Sequence, residues 1–258
     1  MLTVSHDLVS VELDLTAGRV ACPWCGGRLR PWGWARARVI REGLGADWVG
    51  RRCRPRRARC VGCRGTHVLL EVGLAARRAD TAEVIAAAVE AKTALGSGHR
   101  RIAAECGRPV STVRGWLRAF GASAARISDR FTGLLVRDAP DAVVLWPKPA
   151  GTAQGAALSA LMAYAVGLAL RFAATVTVTW VQAGIAATNG RLFCRRWWAA
   201  GPNTNCHHLR VLGGRPERLR GRRVRRKLHR ALLLRQRRDR HRRRADPPPP
   251  GESTRSPM

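Results

Sequence analysis

At 258 residues the chain is long enough to bury a hydrophobic core of its own, which excludes a mini-protein held together only by cross-links. Its 47 lysines and arginines against 17 aspartates and glutamates give a net charge of +30, making nucleic acid the first partner to consider and an acidic membrane surface the second. Nearly all of that charge is arginine in a chain rich in Ala, Gly and Val, the bias of GC-rich coding sequence, so the charge sets a prior and nothing more.

Residues 1–19 read as an extended lead-in, in which the alternation of SVELDL suits one strand. The opening residues lack the basic start and apolar run of a secretory signal. The expectation is therefore a cytoplasmic, nucleoid-associated chain with reduced cysteines.

Residues 20–75 carry the strongest motif. Cys22 and Cys25 stand in ACPWCGGRL and Cys60 and Cys63 in ARCVGCRGTH, with 34 residues between the pairs. Each CxxC sets two thiols on one tight turn, and two such turns supply the four soft ligands of a tetrahedral Zn2+. Gly26, Gly27 and Gly62 let backbone N–H groups turn toward sulfur. Four protein ligands leave no place for a reacting water, so the expected zinc is structural. Cys53 and His67 lie near enough in sequence to substitute, but the two pairs already complete the shell.

Within the same module, Arg38 to Ile40 and His67 to Leu70 read as short strands. Trp24, Trp32, Trp34 and Trp48 are expected to pack over the ribbon, with base stacking beside arginines as the alternative. The run from Arg51 to Arg59 either follows phosphates or forms a solvated loop.

Helical periodicity begins at Thr81, where Val84, Ile85, Ala88 and Val89 share one face and Gly96 punctuates the run. The segment HRRIAAECGRPVSTVRGWLRAF then fits a helix-turn-helix within residues 79–122: Ala103 where the helices cross, Gly107 at the turn, and Val113 in the core. Ile102, Cys106, Trp116 and Leu117 complete that core, and Ser111 has the chemistry to cap the second helix. Thr112, Arg114, Gly115 and Arg118 would face outward, suited to base edges in a major groove, while Arg100, Arg101 and Arg108 would meet phosphates.

Residues 123–205 form an Ala-rich, mostly helical region: a helix and connector to about residue 140, then an apolar stretch over 153–187. That stretch has the length of a membrane span, but its Ala and Gly content favours a packed Ala-rich helix. Residues 206–258 are rich in Arg and Pro and are expected to be disordered. The fold expected is mainly α with a small β zinc ribbon: ribbon, helix-turn-helix bundle, Ala-rich helical segment and basic tail.

CPWCGGRLRPWGWARARVIREG, RPRRARCVGCRGTHVLL and GHRRIAAECGRPVSTVRGWLR together resemble uncharacterised zinc-ribbon and helix-turn-helix proteins of high-GC bacteria, themselves similar to the DNA-binding N-terminal regions of insertion-sequence transposases. The resemblance covers residues 20–120 and, more loosely, 121–205, through the Ala-rich helix, Gly190 to Leu192 and Asn203 with Thr204. It implies metal ligation by Cys22, Cys25, Cys60 and Cys63, and a recognition helix from Ser111 to Arg118. Double-stranded DNA is the partner implied, with a homodimer left open.

Strand-transfer chemistry needs several carboxylates around two metal ions. After residue 120 only Asp129, Asp138, Asp141, Glu217, Asp239, Asp246 and Glu252 remain, and no triad stands out. The single tyrosine, Tyr164, lies in the apolar stretch and reads as packing. The expectation is a DNA-binding protein, a regulator or the targeting part of a mobile-element system, and not an enzyme. A membrane-associated basic protein and a transposase remnant without its catalytic domain are the alternatives. No small-molecule substrate is expected.

Overall fold

The computed structural model describes residues 1–141, 146–172 and 177–194. The expected disordered tail and Asn203 with Thr204 lie outside the described residues. Among the described residues the chain forms seven helices and six strands, a mixed α/β fold in place of the mainly α one expected.

The lead-in departs first from its sequence reading. Its strand is β1 (Leu2–Val4), and SVELDL falls in helix α1 (Leu8–Thr16). Asp7 decides this: its carboxylate accepts the backbone N–H groups of Val9 and Ser10, both at 3.1 Å, satisfying donors that a helix start leaves free. The apolar alternation misleads, because Val11 and Leu15, four apart, are buried while Leu13 stays exposed.

Strands β2 (Leu29–Trp34), β5 (Arg56–Cys60) and β6 (Thr66–Glu71) join β1 in a four-stranded sheet of order β1-β6-β5-β2. β1 runs parallel to β6, and the other pairs are antiparallel. β2 is an edge strand, which is why it tolerates Pro31. Leu2, Val4, Val11, Leu15, Leu29, Ala58 and Leu69 fill a small core with the thiols of Cys22 and Cys60.

Strands β3 (Arg38–Glu42) and β4 (Val49–Cys53) form a separate hairpin over Ile40, Cys53 and Leu74. The run from Arg51 to Arg59 is therefore mostly strand, in β4 and β5, with Arg54 and Pro55 joining them. Arg51 pairs with Glu42 at 2.6 Å and Glu71 at 3.0 Å, and Arg56 with Glu12 at 2.8 Å.

The helices α2 (Ala82–Thr93), α3 (His99–Cys106), α4 (Val110–Gly121), α5 (Ala124–Asp138), α6 (Ala153–Arg171) and α7 (Trp180–Ala187) share one larger core. Ile85 and Val89 of α2 meet Ile102, Val113, Trp116 and Phe120 there, and Phe131, Leu161 and Ile185 continue it. Helix α6 has the length and hydropathy of a membrane span; Leu161, Tyr164 and Leu168 are buried, while Met162, Val166 and Leu170 are exposed. The chain around α7 returns to the first sheet: the Thr3 hydroxyl donates to the Ile185 carbonyl at 3.3 Å, and the Ala76 N–H to the Gly190 carbonyl at 2.7 Å.

The turn between α3 and α4 depends on Gly107, whose φ of 63° lies in the left-handed region. The Arg108 N–H reaches back to the Ala103 carbonyl at 3.0 Å, closing the end of α3 before Pro109 starts α4. A side chain on Gly107 would also run into the backbone carbonyl of Gly45 in the β3–β4 turn. Gly107→Ala is therefore expected to cost about 2 kcal/mol or more, seen as a lower denaturant midpoint with an unchanged slope. An unchanged midpoint would mean that the turn does not need glycine.

Candidate metal centre and basic helical face

The two CxxC turns meet across strand pairing. Cys60 lies opposite Leu29 at the end of β5, so the β2–β5 register brings the first turn beside the second. The Sγ atoms of Cys22, Cys25, Cys60 and Cys63 all lie within 4.8 Å of one another. Cys25 and Cys60 are 3.5 Å apart and Cys22 and Cys63 3.7 Å, too long for disulfides and close to the roughly 3.8 Å edge of a tetrahedron with metal–sulfur bonds of about 2.3 Å. These four residues can hold a metal ion, with Cys22 and Cys60 buried and Cys25 and Cys63 exposed.

Backbone geometry supports ligation. The Cys22 N–H donates to Gly27 at 2.7 Å and the Cys60 N–H to Gly65 at 2.9 Å, closing two matching turns. Gly27 sits so near the thiols that an added Cβ would lie 3.1 Å from Cys60 Sγ and 3.3 Å from Cys25 Sγ. The Gly27 N–H, together with the Cys60 and Cys63 thiols, pulls the Cys25 thiol down to about 7, whereas burial pushes Cys22 up. Four thiolates this close repel one another, and a dication between them removes that cost.

Of Cys53 and His67, His67 alone approaches the centre. Its Nε2 lies 3.4 Å from Cys22 Sγ, and its buried ring packs against Trp24 at 4.5 Å between centroids. Burial, with the N-terminal ammonium, lowers its pKa to about 4, so it is neutral at pH 7 and placed to donate to the sulfur as an outer partner. Cys53 belongs to the hairpin core.

Helices α3 and α4 set most of the predicted nucleic-acid contacts on the surface. Arg100, Arg101, Ser111, Arg114 and Arg118 are exposed and Thr112 is half-buried. Arg101 pairs with Glu105 at 2.8 Å along α3, and the Arg114 guanidinium donates to His99 Nε2 at 3.0 Å. Arg114 and Arg118 line a groove of about 410 Å³ with Lys92, His99 and Gln154 over Val89, Leu117 and Phe120. None of its lining residues is acidic. Lys92, His99 and Gln154 come from α2, α3 and α6, and only the packing of those helices on α4 brings them together.

Two predicted roles fail on geometry. Ser111 does not cap α4: Pro109 occupies the cap and Ser111 lies inside the first turn, with no side-chain cap bond. Arg108, expected at phosphates, has a side chain that is 0% exposed. Its Nε pairs with Asp80 at 2.6 Å, and its other nitrogens donate to the carbonyls of Gly43 at 3.0 Å and Cys106 at 3.0 Å. Asp80 also pairs with Arg41 at 2.7 Å, so a buried charge cluster ties the β3–β4 hairpin to the α3–α4 turn.

The tryptophans pack at the surface of the ribbon and its hairpin, against His67 and arginines. Trp24, Trp32, Trp34 and Trp48 are 65%, 51%, 51% and 41% exposed and enter no core. Arg59 lies over Trp32 at 4.6 Å and Arg56 over Trp34 at 4.8 Å from the ring centroids. Farther along the chain, the Tyr164 hydroxyl donates to Asp138 at 3.1 Å, and Asp138 also pairs with Arg137. No protein-family model, no curated protein and no solved structure matches this chain.

Proposed function

We propose that this chain is a DNA-binding protein in which Zn2+ on Cys22, Cys25, Cys60 and Cys63 folds a ribbon, and α3 and α4 act as a helix-turn-helix. Zinc is the ion that best suits four reduced thiolates at tetrahedral spacing, and a closed shell of protein ligands gives it a structural role. The observation that carries the DNA reading is the acid-free face of α4, with Arg114 and Arg118 exposed beside Lys92 and His99 after a glycine turn of helix-turn-helix spacing. Arginine makes bidentate contacts to guanine in the major groove, and Thr112 is of a size and chemistry to contact bases or phosphates. Arg100 and Arg101 are the phosphate contacts in this reading. The role is that of a regulator or of the targeting part of a mobile-element system.

The test is alanine substitution read against many sequences. Arg114→Ala is expected to reduce discrimination between the preferred and mismatched sites by about 1–3 kcal/mol, whereas Arg100→Ala weakens all sequences alike and lowers the salt slope by about one. A site preference unchanged in Arg114→Ala would remove α4 as the reading element.

A further inference from the structure

A second basic surface lies on the first sheet, apart from the α3–α4 contacts of the proposed function. In β5, Ala58 and Cys60 point into the core, so Arg57 and Arg59 point to the opposite face. Arg30 is opposite Arg59 in the β2–β5 register, but its guanidinium donates to the Thr16 carbonyl at the end of α1 at 2.8 Å, and the Arg59 guanidinium over the Trp32 ring places Trp32 on the Arg59 face. The chain around α7 covers Thr3 and approaches Leu70 at the far corner, while on the β2–β5 half Arg57 and Arg59 are half-buried. Trp32 stands 51% exposed on the edge strand, and among the described residues no carboxylate pairs with Arg30, Arg57 or Arg59.

We infer that this face binds single-stranded nucleic acid, with a base stacked on Trp32 and the backbone phosphates on Arg57 and Arg59. A large exposed ring is costly to leave in water, and Arg59 holds it fixed, so that little side-chain freedom is lost when a base stacks. A duplex keeps its base faces stacked on one another and offers Trp32 nothing to pair with; an unpaired base does. The arginines complement phosphate and repel a basic partner, including a second copy of this chain. The surface is separate from the duplex-reading face of α4, so each has its own variant.

The test uses the full-length protein and two probes, an oligothymidylate single strand and a duplex carrying the selected site, with bromouracil photocross-linking to map the contact. Trp32→Ala is expected to weaken single-strand binding about tenfold and leave duplex binding unchanged, with Trp32→Phe retaining most of the affinity. Arg57→Gln, which leaves the ring and its support in place, should weaken single-strand binding and reduce its salt dependence. Cross-links should fall within Leu29–Trp34. Single-strand affinity unchanged in both Trp32→Ala and Arg57→Gln, equal loss for both probes, or cross-links confined to residues 201–258 would overturn the inference. Arg114→Ala, which should alter only duplex discrimination, reports separately on the α4 face.

Discussion

Removing the metal with a strong chelator is expected to unfold the sheet built by β1, β2, β5 and β6, and Cys60→Ser to do the same without chelator. The reason is the size of the first core. It contains few large apolar side chains, and two of its members are the candidate ligands Cys22 and Cys60 themselves. Small modules with so little apolar burial need a metal or cross-links to be stable. Metal binding to such a site contributes on the order of 10 kcal/mol to folding, as much as the whole stability of an ordinary domain. Circular dichroism with parallel measurement of released zinc checks this. The loss should be larger for Cys22→Ser and Cys60→Ser, whose side chains sit in the core, than for the exposed Cys25 and Cys63. A chelated protein that kept its melting curve would rule out a structural metal.

Arg108→Ala is expected to be the most damaging single change outside the cysteines, at about 3–5 kcal/mol, because it leaves Asp80 buried with only Arg41 beside it. The substitution also strands the Gly43 and Cys106 carbonyls that Arg108 satisfies. Urea unfolding of Arg108→Ala, Asp80→Ala and the double variant measures the coupling. The double variant should lose much less than the sum of the two single losses, since it removes the orphaned partner in each. Were Arg108 a phosphate contact instead, its alanine variant would keep its stability and lose one unit of salt slope on DNA.

The local chemistry of the site was legible because it is carried by short spacing. Two CxxC turns name their own partners, and the glycine at position 107 follows from the turn that any two helices at that separation require. What sequence alone did not provide depends on neighbours distant in the chain. Arg108 looks like every other arginine until Asp80, 28 residues earlier, is seen to lie against it. Lys92 and Gln154 join the α4 groove only through tertiary packing. The alternation of SVELDL lost to a single capping aspartate, Asp7, because a cap acts on the backbone and leaves no trace in the apolar pattern. Tryptophans in a small module read as packing over its hairpins, but which of core and edge they take depends on sheet order, and Trp32 and Trp34 lie on the edge strand beside arginines.

The metal and the α3–α4 face are linked in this account through the first sheet and the β3–β4 hairpin. Arg51 joins the two sheets by pairing with Glu42 and Glu71, and Arg108 joins the hairpin to the turn before α4. Loss of metal should therefore weaken DNA reading although no thiol lies among the proposed DNA contacts. The most direct measurement is selection of genomic fragments by the full-length protein at near-physiological salt, zinc-loaded and chelated, with a polyanion competitor to suppress binding by charge alone. The account predicts recovery of one sequence motif with zinc, its loss on chelation, and its relaxation in Arg114→Ala. Equal recovery of all fragments, indifferent to zinc and to Arg114, would contradict it.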